Sequence, residues 1–289
     1  MADIYRQARR VLIWLGDASP DDDIQVVFSF LKRLTSIKHI AITNEVVQNL
    51  IEEVFKCLDI NKLQALLQRS WFQRRWIIQE VALGHDSIVH CGPFHISWHW
   101  FVDALRRLQK ASDRGAIALG SAALDTVSNA CAIYSHANEM LTLLWDFHKS
   151  ECHDPRDRIF SLYRLAEDVE PKITHSKHPV LKTSSERTPF AVDYTSSLVD
   201  VYHRLAHDCV ASGNWELLMK HLFAFGPLWE QQNDPTIPSW IPAWNQGRRF
   251  THFTVIVGGT SPFFRMGMGD LKVEFEGQGL QRVRFLSNE

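Results

Sequence analysis

The 289 residues carry 31 Lys+Arg against 33 Asp+Glu, a formal charge of −2, and 45% are hydrophobic. This supplies a core for one large domain or two modest ones and leaves no basic field for a nucleic-acid backbone. Five scattered cysteines without a CxxC pair argue against a secreted disulfide framework, and no apolar run resembles a signal peptide or reaches the roughly eighteen residues of a membrane span; a cytoplasmic protein without membrane or nucleic-acid partners is expected.

In chain order, residues 4–10 read as the end of a helix. Val11-Leu12-Ile13-Trp14-Leu15-Gly16 follows as a short continuous apolar run, the pattern of a parallel strand buried on both faces. Ser19-Pro20-Asp21-Asp22 places a cap, a proline and an acid ahead of a helix reaching about Leu34. Apolar residues from Val46 to Leu58 recur at helical spacing, and Leu63, Leu66 and Leu67 suit a shorter helix. Ser70 is expected to cap a helix over Trp71–Leu83, which would bring Phe72, Trp76, Glu80 and Leu83 to one face.

Ser87–Cys91 reads as a strand, Gly92-Pro93 as a turn, and Ser97 as the cap of a helix. Asp154-Pro155-Arg156-Asp157 repeats the cap-and-proline pattern. Residues 170–190 are polar and aperiodic, and a further helix begins near Ser196. Strand-like stretches at Thr254–Val257, Leu271–Phe275 and Val283–Phe285 suggest a small β portion. The expected class is α/β, mainly helical: a partial parallel sheet over residues 1–92, a helical region over 93–245 and a β-rich tail over 246–289.

Several phrases together resemble the fungal heterokaryon-incompatibility (HET) domain family. They are Ile4-Tyr5-x-x-Ala8-x-x-Val11-Leu12-Ile13-Trp14-Leu15-Gly16, Trp71-Phe72-x-Arg74-Arg75-Trp76-Ile77-Ile78-Gln79-Glu80-Val81, Cys91-Gly92 with Ile96-Ser97-Trp98, Asp154-Pro155-Arg156-Asp157-Arg158-Ile159-Phe160-Ser161-Leu162, Asp193-Tyr194 with Val201-Tyr202, and Pro238-Ser239-Trp240-Ile241-Pro242-Ala243-Trp244. The resemblance implies non-self recognition between fungal strains and signalling of programmed cell death, with other HET-domain proteins as partners. It also implies two further motif blocks ahead of residue 4, so the sequence is expected to be a truncated form without full activity.

The phrase from Ser70 to Glu80 is also similar to a helix of TIR domains, some of which cleave NAD. That likeness implies Glu80 as a catalytic carboxylate, with Trp76 and Arg75 lining the substrate site and NAD as a substrate, not a cofactor. A carboxylate in a partly apolar cleft can hold ribose hydroxyls and stabilise an oxocarbenium-like centre. The competing reading pairs Glu80 with Arg74, Arg75 or another arginine as a structural ion pair. A third possibility is a non-catalytic module that binds a full-length HET protein through an open strand edge.

His148, Cys152 and His153 match no standard zinc spacing, so no metal is expected. The Asp154–Asp157 acids read as helix-start residues and Pro238–Trp244 as a segment pinned across a core. Neither a phosphate-binding glycine loop nor a serine nucleophile elbow is present.

Overall fold

The computed structural model describes residues 2–36, 59–115, 117–133, 139–169 and 192–248, and four strands between 254 and 287. It divides into two compact units, Met1–Asn138 with Lys149–Cys152 and Glu139–His148 with His153–Glu289. The division does not fall at residue 92, because the strand and helix that follow are bound into the first unit.

That unit holds α1 (Ala2–Gln7), β1 (Val11–Trp14), α2 (Ile24–Ser36), α3 (Ile60–Leu67), α4 (Ile77–Ala82), β2 (Ser87–Cys91), β3 (Phe94–Ser97), α5 (Trp98–Asp113) and α6 (Ser121–Ala132). The strand order is β1-β2-β3. β1 runs parallel to β2, with Val11 opposite Ser87 and Trp14 opposite His90, and β3 returns antiparallel, with His90 opposite His95. Gly92 makes that tight return at φ +53°, a left-handed conformation costly for any residue with a Cβ. One face of the sheet, with Ile13, Val89 and Ile96, is buried with Val27 and Leu31 of α2 and Phe101 and Leu105 of α5.

The expectation for β1 needs correction. Its residues alternate buried and exposed, and Leu12 and Trp14 are 65% and 53% exposed, so only one face of this apolar run is covered. The cap signal at Ser19 is also displaced. It opens a 3₁₀ turn, Pro20–Asp22, after which Asp23 turns left-handed at φ +50° and α2 begins at Ile24. The helix expected over Val46–Leu58 lies outside the described residues, as does the whole polar stretch 170–190.

The second unit contains α7 (Met140–Asp146), α8 (Asp157–Phe160), α9 (Leu198–Ala211), α10 (Trp215–Phe225) and α11 (Leu228–Gln232). Ser197 caps α9 in a capping box with Asp200, which leaves Val201, Tyr202, Leu205 and Cys209 on the buried face. The Pro238–Trp244 segment crosses the core with Trp240, Ile241 and Trp244 buried. It is fixed by Leu228 N–H to Ile241 O (2.7 Å) and Ala243 N–H to Gly226 O (2.8 Å). Strands β4 (Thr254–Gly258), β5 (Ser261–Met266), β6 (Gly269–Glu276) and β7 (Arg282–Ser287) form an antiparallel sheet in sequence order. The mixed α/β, mainly helical class and the β-rich end are therefore observed. β5 was not anticipated, since Pro262 removes one amide donor and masks the strand pattern.

Candidate functional site

The sequence placed Trp76 and Glu80 on one continuous helix with Phe72, and the structure breaks that helix. Ser70–Gln73 forms a 3₁₀ turn, and Arg74 leaves it in an extended conformation (φ −71°, ψ 133°). The backbone there bonds to Glu151: Arg75 N–H to Glu151 O is 2.8 Å and Glu151 N–H to Gln73 O is 2.6 Å. These strand-like bonds take the groups that a helix would use for its own i→i−4 ladder. The 3₁₀ turn is held by aromatic packing, with Trp71 edge-on to Trp98 at 5.9 Å and Phe72 stacked on Phe101 at 5.8 Å.

The helix resumes as α4 with Trp76 at its N-cap. Glu80 N–H to Trp76 O is 3.4 Å, so these two residues lie one turn apart, both half-buried. Arg75 is completely buried, at 0% exposure. A side chain without solvent access is poorly placed to meet a ligand from solution, which leaves Trp76 and Glu80 as the reachable members of the trio. The structure adds Tyr5 from α1. Its hydroxyl donates to the Glu80 carboxylate, and burial, followed by the charge and hydrogen bond of Glu80, raises its pKa against a smaller opposing pull from Arg74. Tyr5 stood in the first phrase of the sequence without a role, and nothing local in the sequence connects it to a residue 75 positions away.

At the carboxyl end of β1, where open α/β sheets usually bind ligands, the chain fills the space itself. Arg69 donates to Leu15 O (2.8 Å) and Asp17 O (2.9 Å) and pairs with Asp22 at 2.9 Å. Gly92 N–H donates to Gly16 O (2.9 Å), and a Cβ at Gly92 would sit 2.8 Å from Ala18 Cβ. Cys91 lies beneath this loop, its thiol directed at Asp17 O at 3.9 Å, and burial raises its pKa. Arg69 was the second residue missed by sequence reasoning, because a lone arginine before an aromatic phrase carries no spacing signal.

In the second unit two of the conspicuous phrases meet. Asp154 accepts both the backbone N–H (2.9 Å) and the guanidinium (2.7 Å) of Arg156. Arg156 reaches on to Tyr194 O (2.7 Å) and Ser196 O (2.9 Å). The Tyr194 hydroxyl donates to Asp157 at 2.6 Å, and its burial together with that bond pushes its pKa upward. Asp193 is held at about 2 by donors from Thr195 and Ser196. The acids thus stabilise a turn and an arginine junction. Deeper in, Trp244 Nε1–H donates to His221 Nδ1 at 3.0 Å. Burial, followed by the nearby Lys220 and Arg248 charges, lowers His221 to about 3. Among the described residues no group of three His, Cys, Asp or Glu side chains could hold a metal, and no helix is long and apolar enough to cross a membrane.

Residues 1–80, from α1 to the Trp76–Glu80 turn, match the model of the family described as heterokaryon incompatibility protein (HET). The similarity extends beyond that segment: over 285 residues the chain is 24% identical to "Heterokaryon incompatibility protein 6, OR allele" of Neurospora crassa, covering 85% of this chain and 41% of the relative. Over its first 80 residues the chain is similar to the heterokaryon-incompatibility family. The HET match ends at Glu80, so it takes in Tyr5, Arg69, Trp76 and Glu80 together. The chain spans about two fifths of the length of the curated relative. No solved structure matches the chain.

Proposed function

We propose that this chain acts in heterokaryon incompatibility, as a component of non-self recognition that signals cell death through contacts with other incompatibility proteins. The observation that carries the reading is the similarity over 85% of the chain to a Neurospora crassa protein named for incompatibility. The HET match over residues 1–80 supports it. The test is inducible expression in Neurospora crassa strains of opposite incompatibility type. Growth arrest in one type and normal growth in the other is expected, and equal growth in both would contradict the proposal.

A second reading rests on the Tyr5–Trp76–Glu80 arrangement: NAD cleavage with Glu80 as the carboxylate and Trp76 as the stacking surface. The half-buried carboxylate, already held by one hydroxyl donor, has the chemistry to stabilise an oxocarbenium-like centre at a ribose. NAD consumption by the purified chain that disappears in Glu80→Gln supports this reading. Absence of turnover at high protein concentration removes it.

A further inference from the structure

Helix α9 carries two histidines on the side away from its core. Val201, Tyr202, Leu205, Ala206 and Cys209 are buried, whereas His203 and His207 are exposed. Four residues apart on a helix, these two stand one turn apart on the same face. Their ring centres are 6.3 Å apart and the ring planes are tilted by 42°. Each ring also has a neighbour that orients it. His203 rests against the indole of Trp240 at 5.4 Å between centres, and Trp240 is itself buried. His207 holds its Nδ1 at 3.8 Å from the Asp208 carboxylate.

We propose that His203 and His207 chelate one divalent transition-metal ion of the zinc or nickel type across a turn of α9. Imidazole nitrogen is the ligand that such ions favour, whereas the hard ions magnesium and calcium take oxygen. An ion about 2 Å from each coordinating nitrogen in tetrahedral geometry sets two ring centres about 5 Å apart. The observed pair closes the remaining distance of roughly 1 Å by small turns about the side-chain torsions of two exposed residues.

The surroundings fit the same assignment. A carboxylate beside Nδ1 of a histidine accepts the proton on that nitrogen and leaves Nε2 as the ligand, the common outer support of a metal-bound imidazole, and Asp208 stands at that position on His207. Asp200, exposed and one turn before His203, adds a second negative charge on the same stretch of helix, which favours a cation. Two protein ligands are fewer than the three or four that hold a resident catalytic or structural zinc, and no group of three is found among the described residues. Water therefore completes the coordination, and the ion exchanges with its free concentration.

Equilibrium dialysis of the untagged full chain against zinc chloride or nickel chloride reads the binding, and proton–nitrogen spectra of the imidazole rings show which histidines respond. In the wild type the His203 and His207 rings should shift together as the ion saturates the pair. His203→Gln and His207→Gln should each weaken this binding by about tenfold or more, because the chelate becomes a single imidazole. Both side chains are exposed, so neither substitution disturbs the core of α9. His95→Gln, which removes a surface histidine of β3, should leave the affinity unchanged, and so should a large excess of magnesium chloride. Absence of saturable uptake by the wild type overturns the proposal. Uptake that survives either His203→Gln or His207→Gln, or that shifts other rings and not these two, does so too.

Discussion

Replacing Arg69 with methionine keeps most of the apolar stem and removes the guanidinium that closes the loop after β1. Three interactions are lost: those to Leu15 O at 2.8 Å, Asp17 O at 2.9 Å and Asp22 at 2.9 Å. The arginine side chain is 21% exposed and the aspartate 33%, so the ion pair is discounted to about 0.5 kcal/mol. The two charge-assisted bonds to carbonyls contribute about 1 kcal/mol each, net of hydration. Asp22 also holds the Ser19 N–H at 2.9 Å, so the 3₁₀ turn loosens with it. The local cost is about 2–3 kcal/mol, which converts to about 30- to 140-fold faster opening of the loop. Hydrogen exchange of a peptide spanning residues 14–22 measures this opening in place. Arg69→Lys should fall between, since an ammonium cannot reproduce the fork that spans two carbonyls and a carboxylate. Exchange of that peptide unchanged within threefold in Arg69→Met would refute the assignment.

Three further perturbations follow from the geometry. Gly92→Ala adds a Cβ about 2.8 Å from Ala18 Cβ at a φ of +53°, and strain plus displacement should lower stability by about 2–4 kcal/mol in urea titration. Tyr194→Phe deletes the donor to Asp157 while keeping the ring, and a loss of about 1–2 kcal/mol is expected in thermal melting. His221 is depressed to about 3 in the folded chain against an ordinary 6.5, so the unfolded chain takes up this proton first. Its contribution is complete above about pH 6.5 and is lost on acidification towards pH 3, by about 1.4 kcal/mol per unit. Urea midpoints between pH 5 and 7 should therefore slope less steeply in His221→Gln than in the wild type.

What the sequence revealed depended on whether the signal was local. Ser97 was readable as a cap because the acceptor oxygen and the N–H it serves lie three residues apart, and the cap is present. The buried faces of α5 and α9 followed from helical spacing. The Trp71–Leu83 helix failed because its backbone is diverted to Glu151, a partner more than seventy residues away that no periodicity encodes. Trp76 and Glu80 survived that failure, since their one-turn relation needs only α4. Tyr5 and Arg69 were illegible for the same reason as the break: each acts across a long sequence separation, on Glu80 and on the loop after β1. β1 was misjudged in a different way, because a continuous apolar run does not state whether both of its faces are covered, and here Leu12 and Trp14 remain open.

The proposed role in incompatibility is tested most directly by vital-dye uptake in hyphal compartments after induction in Neurospora crassa strains of opposite type. A Leu31→Asp variant serves as control, placing a charge at a fully buried position of α2. Dye-positive compartments are expected with the wild-type chain in one strain type only, and none with Leu31→Asp in either. Equal viability of both strain types with the wild-type chain, or death that persists with Leu31→Asp, would contradict it.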